Sequence, residues 1–299
     1  MSEFLQQLVN GLSLGSMYAL IALGYTMVYG VLRFINFAHS DVFMVGAFIG
    51  FYVAPQIQHF IPTAPIFGGV IVLLISMCVC ALLGVIIERL AYKPLRERSK
   101  LTVLITAIGV SLLLEYGGQK VFGPSPKYFE LLPSSKIHVG TLVLGTNQII
   151  VFILAPILLL VLRFIVMRTK IGTAMRALSF NAQAASLVGI NNDVVISFTF
   201  AIGSALAAAG GILYAQNYPK IEPLMGILPG LKAFVAAVLG GIGNIPGAAF
   251  GGLLIGVVET LVAGTRFSTY RDAIAFAILI GILLFKPSGL LGKSQVEKV

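Results

Sequence analysis

His39, Ser40 and Asp41 stand in a row and are the first residues in this chain whose types could do chemistry. Their types match a nucleophile relay, but their spacing does not. Consecutive residues on a helix point in different directions, so no proton could pass among them as a triad requires. Apolar residues flank the group on both sides. Ionisable groups in or at the edge of a membrane span are costly and are candidates for function. Asn36, His39 and Asp41 are therefore read as lining a transport path or its gate. The competing reading is a helix cap at a membrane interface. Glu115 and Glu259 fall in the same class, whereas Glu88 followed by Arg89 reads as a neutralised interfacial pair.

A second group is the run Gly240-Gly-Ile-Gly-Asn-Ile-Pro-Gly247. Gly243, Gly247 and Gly251 are four apart, as are Gly252 and Gly256. Small residues at this spacing let helix backbones approach closely in lipid, so these positions predict helix packing. Pro246 breaks the helix and frees backbone carbonyls. At membrane depth these persist only against protein or a watery cavity. That puts Asn244 beside the proposed path, with Glu259 further along the same segment. Ile35 to His39 also leads into a Gly-rich helix, as Asn244 to Gly247 does. Paired interrupted helices of this kind occur in the two halves of transporters.

The elements that must position these residues follow from composition. The 299 residues are 58% hydrophobic and only 10% charged, with mean hydropathy +0.99. A soluble domain carries about 25% charged residues, so this chain lacks the groups to cover a water-facing surface. Phe4–Leu32, Val42–Ile87, Ile137–Leu162, Val194–Pro219 and Ala233–Val258 contain no formal charge. Each exceeds the roughly 20 apolar residues that a spanning helix needs. Leu101–Leu114 and Ala273–Phe285 are shorter, and become spans if Glu115 and the Arg271–Asp272 pair sit at an interface. Continuous runs fit helices rather than the alternating strands of a barrel. The expected fold is an all-α, polytopic membrane bundle of about eight spans, some interrupted or re-entrant, forming a single permease domain over 1–299. Segments are placed near 5–32, 35–54, 66–87, 101–122, 147–166, 194–217, 231–263 and 273–285.

Net charge is +9, but Lys and Arg cluster at span ends and form no aromatic-interleaved basic face, which argues against nucleic acid. If Arg33, the loops at 89–100 and 163–176 and the C-terminal tail share one side, that side holds 13 of the 20 Lys and Arg. The positive-inside rule makes it cytoplasmic and the N-terminus external. The broken region at 231–263 must then cross twice or re-enter. Cys78 and Cys80 lie in the most apolar stretch, with no disulfide framework and no Cys/His metal set. No cleavable signal is evident in the first residues.

The stretch from Arg168 to Asp193 is basic, alanine-rich and helix-prone. Within it, Gln183-Ala184-Ala185 is followed four residues later by Gly189, placed to end a short helix as a C-cap glycine does. The pattern resembles the EAA…Gly loop of ABC-importer permeases, with Gln in place of Glu. In that family the loop docks in a groove of the ATPase subunit. No phosphate loop of the Gly-x4-Gly-Lys-Ser/Thr type occurs, so ATP hydrolysis is expected from another chain.

Gly15-Ser-Met-Tyr-Ala-Leu-Ile-Ala-Leu-Gly-Tyr-Thr-Met-Val-Tyr-Gly30 and Ile35-Asn-Phe-Ala-His39 closely resemble the branched-chain amino acid permeases of ABC importers. So do Gly189-Ile-Asn, Lys232-Ala-Phe, the run from Ala236 to Ala248 and the tail Val296-Glu-Lys-Val. The similarity runs nearly the whole length and is to the shorter, LivH-type subunit. The departures are Gln183 and Ser40, where Glu and Gly are familiar. The resemblance implies a bacterial inner-membrane complex. Its other parts would be a paralogous permease, two ATPase subunits that carry ATP and magnesium, and a periplasmic binding protein delivering Leu, Ile or Val. No cofactor is expected on this chain, and no catalytic residue. Gln183, Ala184, Ala185 and Gly189 would couple it to the ATPases. Related permeases carry urea or short amides, which stays open as an alternative substrate. An ion-coupled secondary transporter using His39, Asp41, Glu115 and Glu259 is the alternative from another class.

Overall fold

The computed structural model describes residues 2–96 and 98–292, without the side chains of Ser2, Lys100 and Val139. Glu97 and the tail 293–299, with its Val296-Glu-Lys-Val match and Lys293 and Lys298, lie outside the described residues. The apolar runs form helices because a helix pairs its own backbone N–H and C=O groups where no water can. The helices are α1 (Ser2–Leu32), α2 (His39–Phe60), α3 (Pro65–Ile87), α4 (Lys100–Phe122), α5 (Thr146–Arg168), α6 (Lys170–Phe180), α7 (Ala182–Leu187), α8 (Asn192–Asn217), α9 (Ile227–Gly240), α10 (Ile245–Ala263) and α11 (Arg271–Phe285). A π-helical turn, Glu88–Tyr92, and a short 3-10 turn, Lys93–Leu95, extend α3. Four short strands join as two pairs: β1 (Lys127–Tyr128) with β4 (Lys220–Ile221), and β2 (Lys136–Val139) with β3 (Leu142–Gly145).

Among the described residues, eight helices are long and apolar enough to cross a membrane, and α9 is a shorter apolar ninth. The region expected at 231–263 is two antiparallel helices, with Gly240 packed on Gly247 and Ala236 on Gly251. The chain therefore reverses direction here, and the described residues begin and end at opposite ends of the bundle. The second span begins at His39 rather than near Ile35, and runs through Pro55 to Phe60. The segment at 101–114 continues unbroken to Phe122, carrying Glu115 and Lys120.

One end of the bundle holds the close of α1, α3 and α5, with α6 and α7; we name it the basic end. Arg33 donates to the Ser179 carbonyl there, and Lys93 and Arg96 pair with Asp193 at 2.6 and 2.7 Å. The other end holds the strand pairs and an amide network. Gln6 bonds the Val143 backbone, Gln148 donates to Asn10, and Asn147 and Gln216 bond each other. Of the described Lys and Arg, 11 gather at the basic end and six at the other. Glu88 departs from expectation: it pairs with Arg96 and accepts from Ser197 at 2.6 Å, while Arg89 is exposed.

α1 and α8 are central, and α4 and α11 are outermost. α1 reaches the centre because its glycines meet those of α10. A Cβ on Gly15 would sit 2.7 Å from Leu253 Cα, and one on Gly252 would sit 2.5 Å from Ala19 Cα. Gly256 packs on Gly11 and Gly15. The five glycines thus serve different surfaces: Gly252 and Gly256 face α1, whereas Gly247 and Gly251 face α9. Gly243 does not belong to the packing helix. It precedes α10 in a turn with φ +93°, a conformation that glycine tolerates. Gly256→Val should lower the thermal midpoint of the detergent-purified chain, at an overpacking cost of about 1–3 kcal/mol. Gly109→Ala, in open space within α4, should not lower it. Equal midpoints for the two variants would show that α1 and α10 do not meet through glycine.

Candidate functional site

The break between α1 and α2 builds the first part of the site. α1 ends at Leu32, Arg33 turns the chain with φ +56°, and residues 34–38 lead it back inward. α2 then starts beside Gly24, where the His39 imidazole occupies the space a Cβ would take. Gly24 is eight residues before Leu32, so α2 begins about 12 Å inside the end of α1. His39 is 1% exposed and meets the Tyr25 ring edge-on at 4.8 Å. Asp41, also 1% exposed, accepts from the Ser111 hydroxyl of α4 at 2.5 Å. Asn36 accepts from the Tyr92 hydroxyl at 2.6 Å. His39, Asp41 and Asn36 thus face α1, α4 and the π turn respectively.

The cap reading fails for this group. The N-cap position is Ala38, with no side-chain cap, and neither His39 nor Asp41 bonds the free amides of α2. His39 Nε2 and Asp41 Oδ1 have no partner among the described residues. A buried polar atom without a partner costs free energy and calls for an explanation outside stability.

A second helix start meets the first. The chain re-enters from the opposite end after β4, and α9 begins against α2, with Gly226 and Gly230 packed on Ser40. From this meeting point α2 runs to the opposite end and α9 to the basic end. The two N-termini abut inside the bundle, although only α9, at 14 residues, is shorter than a span, whereas α2 has 22. The Gly-rich helices α2 and α10 run in the same direction, so the partner of the α2 start is the α9 start rather than Asn244.

Glu259 is part of a buried ionic group. Lys232 on α9 donates to it at 2.6 Å, and the Tyr18 hydroxyl on α1 does so at 2.9 Å. Lys232 also pairs with Asp272 on α11 at 2.6 Å. Burying an ion in lipid is tolerable only with close partners. Sequence reasoning missed Lys232, although a lone cation at the start of the apolar run 231–263 was a signal for it. Tyr18 and Ser111 carried no such signal. Asn244 takes a structural role: it caps α10 through Gly247 N–H at 3.1 Å and donates to the Leu291 carbonyl at 2.6 Å.

The arm α6–α7 projects from the basic end. Asn181 caps α7 by accepting from the N–H groups of Gln183 and Ala184, both at 3.0 Å. Gly189 follows the helix with φ +85°, as a glycine ending a helix does. Gln183 and Ala184 are exposed, but Ala185 is buried within the chain itself. It therefore cannot be the residue that enters a partner's groove. The apolar residues this arm presents are Phe180, Leu187 and Val188, 89%, 87% and 77% exposed.

The family model described as "Branched-chain amino acid transport system / permease component" matches residues 7–283. This chain belongs to that family. It is 42% identical to the high-affinity branched-chain amino acid transport system permease protein BraD of Pseudomonas aeruginosa, over 99% of this chain and 98% of that one. It is 41% identical to the protein LivH of Escherichia coli K12, with the same coverage. A probable LivH of Methanocaldococcus jannaschii is 31% identical over 93% of this chain and 89% of its own.

The permease is thus a multi-pass membrane protein, and its ionic group can be tested by charge balance. Lys232→Met leaves buried Glu259 with only the Tyr18 hydroxyl and Asp272 with only Arg271 at 3.8 Å, at a cost of about 3–5 kcal/mol. Glu259→Gln leaves Lys232 with Asp272 and should cost less. The thermal midpoint in detergent should fall further for Lys232→Met. The reverse order would mean that Lys232 does not hold this group together.

Proposed function

We propose that this permease moves branched-chain amino acids across a bacterial inner membrane by alternating access, driven by partner ATPases. Family membership and the names of its relatives support that substrate class over urea or short amides. The observation that carries the mechanism is the α6–α7 arm, which presents Phe180, Leu187 and Val188 to solvent at the basic end. Exposed apolar residues on a segment that does not span the membrane suit a protein contact. The charge asymmetry supports a cytoplasmic basic end, within reach of ATPase subunits that hold ATP and magnesium. A related permease would complete the pathway, and a periplasmic binding protein would deliver substrate at the opposite end.

Closure of the ATPases would move α6–α7. The arm connects to α5 and α8, and α8 packs on α1, α2 and α3. The meeting point of α2 and α9, with Asn36, His39 and Asp41 around it, is the part of the path that would change its exposure. The two unpartnered atoms fit this role, because a second state can supply partners that this one does not.

Leu187→Glu should leave the chain in the membrane but release the ATPases. Burying an unpaired charge costs several kcal/mol, or about a hundredfold or more in association. Co-purification and ATP-dependent uptake, measured together, test this. Normal assembly and uptake would remove the arm from the mechanism. Asp41→Asn should reduce uptake several-fold with assembly intact, whereas wild-type uptake would leave Asp41 outside the path.

A further inference from the structure

Arg33, Arg163 and Arg176, all three exposed, line one cavity of about 810 Å³ at the basic end, between the close of α1, the close of α5, α6, the turn from α9 to α10 and residues 287–292. Three guanidiniums around one space repel, and each presents five N–H donors. Few of these donors are used. Arg33 gives one to the Ser179 carbonyl at 3.2 Å. Arg176 donates to the Val166 carbonyl and to the Thr173 hydroxyl. Arg163 has no partner among the described residues.

No described carboxylate lines this cavity. Asp193 and Glu88 are held by Lys93 and Arg96, and Glu259 and Asp272 by Lys232. Asp41 bonds Ser111, Glu222 pairs with Lys220, and Glu130 is bonded by Tyr128. Glu3 and Glu115 lie on α1 and α4, away from it.

The depth of the cavity points to its ligand. Arg163 lies five residues before the end of α5, about 7.5 Å along the helix. Leu160, Phe164 and Met167 beside it are exposed, an apolar face that suits hydrocarbon up to the level of the cavity. Arginine forks match phosphate oxygens bidentately. Basic pockets between helices at headgroup depth suit anionic lipids. The exposed apolar residues of α7 do not line the cavity, which disfavours an acidic side chain of a docked ATPase as its occupant.

We propose that Arg33, Arg163 and Arg176 bind a phosphate group, supplied by the headgroup of an anionic phospholipid. The test uses the full chain, with its partner subunits, in bilayers of phosphatidylcholine doped with phosphatidylglycerol. After detergent washing, retained phospholipid is quantified by mass spectrometry. The wild type should retain phosphatidylglycerol over phosphatidylcholine, and Arg163→Gln should retain about fivefold less. Arg168→Gln, an exposed neighbour outside the cavity, should retain as much as the wild type. Arg176→Gln serves if Arg163→Gln fails to fold. A second arm titrates delipidated protein with inorganic phosphate. Binding that Arg163→Gln abolishes, without lipid retention, assigns the site to free phosphate and supports the phosphate chemistry. Three results would overturn the proposal: neither probe bound, equal losses in Arg163→Gln and Arg168→Gln, or unchanged lipid with loss of the ATPases.

Discussion

Close approach of α1 to α10 is the constraint on which the rest of this bundle depends. Between helices in lipid no hydrophobic driving force operates, because the lipid tails are as apolar as the side chains. Contact must come from packing, and packing is tightest where no side chain intervenes. Gly11, Gly15, Gly252 and Gly256 remove those side chains from one seam. α1 can then sit at the centre, with α8 against it through Gly24 and Gly203. The outer helices α4, α5 and α11 carry many of the exposed apolar residues, whereas α3 meets α8 closely at Gly84.

A packed centre makes the interruptions tolerable. The turn at 33–38 and the re-entry at 222–226 both bring non-helical backbone inside the bundle. In lipid their free N–H and C=O groups would be prohibitive, but protein covers them here. The same cover brings cost to the polar side chains nearby. Asp41 and His39 each keep one buried atom without a partner among the described residues, while Lys232 is surrounded by two carboxylates. In the second group one ammonium stands between two carboxylates, with Arg271 3.8 Å from Asp272.

The basic end combines two separate chemistries. The α6–α7 arm offers apolar side chains, and its backbone is closed locally by Asn181 and Gly189. The salt bridges of Lys93, Arg96, Glu88 and Asp193 tie the start of α8 to the turn after α3.

The sequence by itself determined the class of fold, the number of long spans and the family. These depend on local properties: apolar run length, charge placement and short motifs. It also marked the break at 231–263, where charge placement required a second crossing or a re-entry. It could not say which glycine faces which helix, since four-residue spacing is the same on every face. Gly252 and Gly247 differ only by what stands opposite them. Nor could it pair Glu259 with Lys232, 27 residues away, or show that Glu88 takes Arg96 rather than Arg89. Ala185 read as a docking residue because it is small, yet its small size serves burial inside the chain. The meeting of the α2 and α9 starts, the three arginines around one cavity and the outward turn of Leu187 were decided by tertiary structure alone. Each depends on how far one helix is inset against another, and that offset is set by packing between segments distant in sequence.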